Sequence, residues 1–285
     1  MITENKPLVS DHSAYEQQMH AWRRTMEDKI RAEDGWLAFA GLFWLSEGVN
    51  TVGSDPSADV VLPSSAPAQL GTLTLDRGRV RLSVTADIPV EVEGQPTREA
   101  DLRDDQTVEG ETRVRLGAVT FFVVRRKDKT GIRVLDVNSS IRLNFQGRHW
   151  FPLNADLRFP SRFLPYQTPR VVDVLTSYGV LTPIPLVGTV EFEAGGQRYT
   201  LEAFDGGEGK LWFVFKDATN GAETYGGGRF LYASLPADGD ERVVLDFNQA
   251  YLPACAFTPY AMCPLPPQGN ILPFRVEAGE RLPPA

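Results

Sequence analysis

From Val49 onward the chain consists of short apolar runs, rich in Val, Leu, Thr and Phe, that break at turn residues about every 8–12 positions. That spacing is the pattern of a β-sandwich or barrel. The first half carries runs at 60–62, 71–75, 80–84, 90–92, 113–116, 119–125 and 132–136. Its turns are Asp76-Arg77-Gly78, Glu93-Gly94 and Lys127-Asp128-Lys129-Thr130-Gly131. In the second half, 189–194 and 197–203 read as a hairpin across Gly195-Gly196, continued by 211–216, 228–231 and 242–247. Between the halves, 145–185 shows little periodicity and is rich in Pro, Phe and Arg. It reads as a wrapping connection or as part of a site. No internal repeat or low-complexity tract appears, and 285 residues suffice for two domains or one large β domain.

The N-terminus obeys a different rule. Tyr15, Met19, Trp22, Met26 and Ile30 form one apolar stripe on a helix expected over 13–32, with Ser13 and Glu16 spaced as a capping box. The stripe predicts packing, here onto the first β half, and the apolar run 36–45 would join the same core. The tail from Leu272, with Pro273, Pro283 and Pro284, is expected to end disordered or extended.

A net charge of −8 argues against a general nucleic-acid or anionic-membrane surface. Met1 to His20 hold no apolar leader and no stretch is long enough to span a bilayer, so a cytoplasmic protein is expected. Cys255 and Cys263, eight apart, do not fit a CxxC redox or zinc pattern, and His12, His20 and His149 lie far from them. No metal and no cofactor is expected. P-loop, dinucleotide-binding, Gly-x-Ser-x-Gly and His-Glu-x-x-His motifs are all absent.

The chemistry-bearing residues gather late in the chain. Thr219, Glu223, Thr224, Tyr225 and Arg229 crowd in among Gly221, Gly226, Gly227 and Gly228. A loop of that composition can aim backbone N–H groups at a small anion. Arg229, just before an apolar strand, wants a carboxylate or phosphate in its fork. The structural alternative pairs it internally with Glu223 or Asp246. Asp246 and Asn248, two apart, would share one strand face, with Asp246 as a general base and Asn248 orienting. A proline-dense loop follows, carrying Tyr251, both cysteines, Tyr260 and Asn270, and loops of that kind are more often sites than linkers. Cys263 as a nucleophile has no histidine partner placed by sequence.

Two resemblances emerge. Residues 45–136, through Thr51-Val52-Gly53-Ser54-Asp55-Pro56 and the following run to Leu62, resemble a forkhead-associated sandwich. That family holds phosphothreonine with a Gly-Arg pair and a later Ser-x-x-His. Here Ser54 follows Gly53 and no histidine follows before His149, so the resemblance implies the scaffold without its phosphopeptide site. Asp136-Val137-Asn138-Ser139, Phe145-Gln146-Gly147-Arg148-His149-Trp150-Phe151-Pro152, 158–163, 216–231, 245–251 and Cys263-Pro264-Leu265-Pro266-Pro267 with Asn270 resemble the prokaryotic domain-of-unknown-function family "sixteen eighty-four" over about 35–281. That resemblance implies a fold and no activity.

The expectation is therefore a mostly-β protein: 1–44 a helix and apolar connector, 45–140 a forkhead-like β domain, and 141–285 a second sandwich or barrel with the site. The ligand would be a small polar or anionic molecule. Arg229, Arg158 and Arg162 would supply charge; Asn248, Tyr225, Thr219, Tyr251, Cys263 and Asn270 polar contacts; Trp150 or Phe151 an apolar wall. As an enzyme the protein would be hydrolase-like, with Asp246 or Glu223 as base. The alternative is a non-enzymatic binding or scaffolding module that uses the forkhead-like half to hold a protein partner.

Overall fold

The computed structural model describes residues 12–237 and 239–284. Residues 1–11, within the stretch read above for an apolar leader, and the last residue of the tail lie outside that description. The chain forms two compact units, one of 29–145 with 257–261, the other of 1–28, 146–256 and 262–285.

In the first unit the strands are β1 (Phe39–Trp44), β2 (Gly48–Gly53), β3 (Val60–Val61), β4 (Gly71–Asp76), β5 (Arg79–Val84), β6 (Glu91–Val92), β7 (Gln95–Pro96), β8 (Glu99–Leu102), β9 (Val114–Leu116), β10 (Val119–Arg126) and β11 (Lys129–Asp136). They make a six-stranded sheet, β1-β11-β10-β9-β6-β7, and a five-stranded one, β3-β2-β4-β5-β8. Alternation explains the packing. On β5, Val80, Leu82 and Val84 turn inward while Arg79 and Arg81 turn out. The inward sets of both sheets, including Val52, Leu73, Leu82, Phe121, Ile132 and Val134, close one shared core, which makes a sandwich. The apolar run after Trp36 supplies β1, an edge strand paired to β11.

The second unit opens with α1 (His12–Arg31), which continues three residues past the unit boundary. Ser13 lies within the described helix rather than at its cap. Within this unit the stripe makes three contacts: Tyr15 reaches Asp246, Gln249 donates to the Met19 sulfur, and Trp22 meets Trp150 edge-on. After the short α2 (Ser140–Leu143) of the first unit come β12 (His149–Trp150), β13 (Arg158–Leu175), β14 (Leu181–Ala194), β15 (Gln197–Asp205), β16 (Lys210–Phe215), β17 (Arg229–Ser234), β18 (Arg242–Asp246) and β19 (Glu280–Arg281).

Six of these form an antiparallel sheet, β17-β16-β15-β14-β13-β18, whose edge strands β17 and β18 approach each other, so it is nearly a closed barrel. Gly195 (φ 56°) and Gly196 (φ 75°) make the β14–β15 turn, where two left-handed residues match the strand twist. Inside, the Phe247 ring lies against Phe159, Phe192 and Phe215. The tail is packed through Arg281: Leu272, Val276 and Ala278 are buried in the same core, and β19 pairs with β12. Burying those side chains outweighs the entropy of ordering a proline-flanked tail.

The 18-residue β13 runs through the segment that showed no periodicity. Pro160, Pro165 and Pro169 interrupt its pattern, and its register with β14 slips between Pro165 and Arg170. Beyond that slip, β13 and β14 pair only with each other over 171–175 against 181–185, as a two-stranded ribbon. The ribbon tip is fastened to the C-terminal loop by Ser177 N–H to the Cys263 carbonyl (2.8 Å) and Leu265 N–H to the Leu175 carbonyl (2.8 Å). Among the described residues no helix is long and apolar enough to cross a membrane.

Met19 is fully buried in the helix–barrel contact. Met19→Ala is expected to cost about 2–5 kcal/mol, read as a lowered urea midpoint with an unchanged slope.

Candidate functional site

Arg229, the first residue of β17, is completely buried. Nη2 donates to Asp217 Oδ2 and to the Val276 carbonyl, both at 2.8 Å. Nη1 donates to the carbonyls of Ala278 (2.5 Å) and Glu280 (3.3 Å). Asp217 Oδ1 in turn accepts N–H bonds from Thr219 and Val276. Burial pulls the guanidinium pKa down, and Asp217 opposes that. Arg229 thus joins strand, loop and tail. Its carboxylate partner is Asp217 rather than either acid expected from sequence.

The glycine-rich loop spends its donors on itself. N–H groups of Asn220, Gly221, Ala222, Glu223, Thr224 and Gly228 bond to carbonyls within the loop, and the buried Thr219 and Thr224 hydroxyls meet at 2.9 Å. Gly228 is left-handed (φ 104°), and a Cβ there would strike the Phe215 carbonyl at 2.6 Å. Glu223 pairs with Arg275.

A second charged cluster surrounds Asp246. Both its oxygens accept from the Tyr15 hydroxyl (3.0 and 2.8 Å), Arg158 Nε lies 3.4 Å from Oδ2, and Asn248 donates through backbone and side chain to Oδ1. Burial first, then the Asp246 charge, drives the Tyr15 phenol pKa up. Asn248 stands on a 3-10 turn rather than on the strand, and its amide also pairs with the Asn154 backbone. Asn270 does likewise with Glu202 and Val214.

A third cluster holds Glu280. Its Oε2 accepts from Arg148 Nη1 (2.5 Å) and Leu252 N–H (2.8 Å), while the buried Oε1 has no hydrogen-bond partner among the described residues. Burial outweighs Arg148 and pushes the carboxyl up to about 7. Nearby Tyr251 stacks on Tyr232. Trp150 lies under Arg23, and the exposed Arg162 pairs with Glu241.

The fourth cluster is different in kind. Cys255, half-buried, and Cys263, 5 % exposed, are both free thiols. The Cys255 N–H points at the Cys263 sulfur (3.2 Å), and the Cys263 N–H at the Ser177 hydroxyl (3.2 Å). Hydrogen bonding from Cys263 first, and then from Tyr225 and Ser177, brings the Cys255 pKa down to about 7 against the opposing effect of burial. The Cys263 thiol is pushed strongly up, first by that same hydrogen bond to Cys255 and then by burial.

The structure therefore brings Tyr225 together with Cys263, and Asp246 with Asn248 and Arg158. Thr219, Glu223, Arg229, Tyr251, Trp150, Arg162 and Asn270 stand in other contacts. Cys255, Ser177, Asp217, Tyr15, Arg148 and Glu280 were not singled out by sequence reasoning as site residues. Only the shared loop of the two cysteines hinted at any of them, and Ser177 reaches Cys263 across 86 positions.

Residues 143–281 match the family described as "Protein of unknown function (DUF1684)". The solution NMR structure of the uncharacterized protein from gene locus rrnAC0354 of Haloarcula marismortui is 34% identical, over 50% of this chain and 79% of that one, with a TM-score of 0.43. A forkhead-associated domain from work on phosphothreonine-dependent FHA domain interactions is 20% identical over 33% of this chain and 92% of its own, at TM-score 0.24. The FhaA FHA domain, complexed with an intracellular domain, gives the same identity and TM-score over 33% of this chain and 96% of its own. No curated protein matches.

Two expectations follow for the buried charges. Arg229→Ala strands Asp217 in the core and should cost about 3–5 kcal/mol in urea unfolding, whereas Arg229→Met with Asp217→Leu should recover most of that. Glu280 has a folded pKa raised from the ordinary 4.5 to about 7. The folded state therefore binds the extra proton between those values, and stability falls as pH rises through that window. Wild type should lose about 2–3 kcal/mol relative to Glu280→Gln between pH 5 and pH 8, measured by paired urea titrations.

Proposed function

The chain belongs to the DUF1684 family through residues 143–281, and on that premise, which assigns no activity, we propose that its C-terminal unit is a small-ligand site centred on Cys255. In this reading the Cys255 thiolate is the reactive group, Tyr225 and Ser177 hold it, and the ligand is small, polar and electrophilic. One observation carries the reading: two free thiols and the Ser177 hydroxyl are gathered in one place, the Cys263 sulfur 3.2 Å from the Cys255 N–H nitrogen and the Ser177 hydroxyl 3.2 Å from that of Cys263, where hydrogen bonding lowers the Cys255 pKa. Convergent hydrogen bonds favour the anion, and the thiolate, not the thiol, is the nucleophile.

The arginines argue for a polar ligand rather than an anionic one. Arg229, Arg158 and Arg148 are paired with Asp217, Asp246 and Glu280. Asp246, held by Tyr15, Asn248 and Arg158, and Glu223, held by Arg275, are engaged as acceptors, which supports thiolate attack over carboxylate-driven hydrolysis. A hydrolase of this design would form an acyl–Cys255 intermediate that water then cleaves.

A second reading keeps the sandwich as a binding or scaffolding module. A cavity of about 330 Å³ supports it, lined by Thr51, Asp55, Ser57, Gln69, Thr72 and Thr85 among others. No cation lines it, which suits an uncharged polar group better than a phosphate. Ser54 is turned inward there, donating to the Ala66 carbonyl at 2.8 Å.

Alkylation by iodoacetamide tests the thiol reading. The rate against pH should turn over near 7, vanish at this site in Cys255→Ser, and move toward the ordinary thiol range in Tyr225→Phe. A wild-type profile that turns over only at the ordinary thiol pKa overturns it.

A further inference from the structure

We infer that Cys255 and Cys263 form a peroxide-oxidised dithiol, in which Cys255 is the attacking thiol and Cys263 the resolving one. The inference rests on the thiolate reading of Cys255 and names its co-substrate class, hydrogen peroxide or a small alkyl hydroperoxide.

The two cysteines lie eight positions apart, with no redox spacing, yet the fold sets the Cys263 sulfur 3.2 Å from the Cys255 backbone nitrogen. Pairs brought together this way are either inert core groups or a thiol and its resolver, and three asymmetries select the second. Cys255 is half-buried, whereas Cys263 is 5 % exposed, so an incoming oxidant meets Cys255 first. The Ser177 hydroxyl accepts the Cys263 N–H at 3.2 Å and so fixes the backbone of the second cysteine. The Cys263 sulfur accepts the Cys255 N–H at 3.2 Å, so the second thiol already lies against the residue it must later attack.

The reaction balances without another partner. The Cys255 thiolate attacks one oxygen of the peroxide: an S–O bond forms, the O–O bond breaks, and the departing oxygen leaves as alkoxide or hydroxide and takes a proton. Cys255 is now a sulfenic acid, oxidised by two electrons, and the peroxide is reduced to alcohol or water. Cys263, no longer facing a thiolate, loses its proton and attacks the Cys255 sulfur. The S–S bond forms, the S–O bond breaks, and water departs with that proton. The sum is two thiols and one peroxide giving one disulfide, one alcohol or water, and one further water.

Tyr225 and Ser177 orient the thiolate. Fixing Ser177 depends on the ribbon tip of β13 and β14, because Ser177 N–H is held by the Cys263 carbonyl at 2.8 Å. The dithiol is therefore assembled by the same contacts that dock the ribbon.

The test uses the full chain, fully reduced, pulsed with hydrogen peroxide and read by intact mass and peptide mapping. Wild type should lose the mass of two hydrogens with no dimer, through a cross-link between the Cys255 and Cys263 peptides. Cys263→Ser should stop at one added oxygen on Cys255, trapped by dimedone. Cys255→Ser should leave Cys263 reduced, with thiol loss slowed about tenfold or more. Thiols that survive the pulse, oxygen added to wild type without a cross-link, or a disulfide between two chains each overturn the inference. If Cys255→Ser does not fold, the dimedone adduct and cross-link in wild type and Cys263→Ser decide alone. The two readings fail separately: an alkylation profile turning over near 7 without a disulfide retires only the dithiol, and an ordinary profile retires the thiolate reading itself.

Discussion

A single buried guanidinium holds the C-terminal unit together. Arg229 has no contact with water, so its donors must look for acceptors inside the protein. The two terminal nitrogens find them on Asp217, at the start of the glycine-rich loop, and on carbonyls of the tail, while Nε has none among the described residues. A tail segment of Leu, Val and Ala could slide in an apolar groove. Its hydrogen bonds to one arginine fix the register and bring Glu280 to Arg148. Ion pairs this deep add little net stability over an apolar replacement. Here the pair stands where a loop, a strand and the tail meet, so its main effect is to select one packing.

Buried carboxylates and amides repeat that logic elsewhere. Asp246 anchors α1 through Tyr15, and Asn248 and Asn270 each substitute a side-chain amide for a missing strand partner. Each satisfies backbone groups that a proline-rich, irregular loop would otherwise leave buried and unpaired. The loop carrying both cysteines can therefore stay irregular and ordered. Its thiols meet Tyr225 and Ser177 because the glycine-rich loop and the ribbon tip are held on either side of it.

Particular elements show how much was legible in the amino-acid pattern. The stripe of α1, the alternation on β5 and β10, and the Gly195-Gly196 turn follow from local periodicity and left-handed backbone, which neighbouring residues alone specify. The strand β13 was hidden because prolines break its alternation and much of it faces solvent. Arg229 was recognised as needing a carboxylate, yet Asp217 was overlooked. The choice among Asp217, Glu223 and Asp246 depends on the path of the loop, and no spacing rule encodes that path.

The sequence by itself determined a mostly-β chain with one leading helix, where its turns fall, and that its polar residues concentrate late in the chain. All of these depend on interactions a few residues long. Only the tertiary structure decided what Tyr15, Met19 and Trp22 of the helix meet, that the tail is buried, and that Cys255, Cys263, Tyr225 and Ser177 share one place. The physical reason is that hydrogen bonds and sulfur contacts act over a few ångströms, while Ser177 and Cys263 are 86 residues apart along the chain. Folding the barrel is what removes that separation.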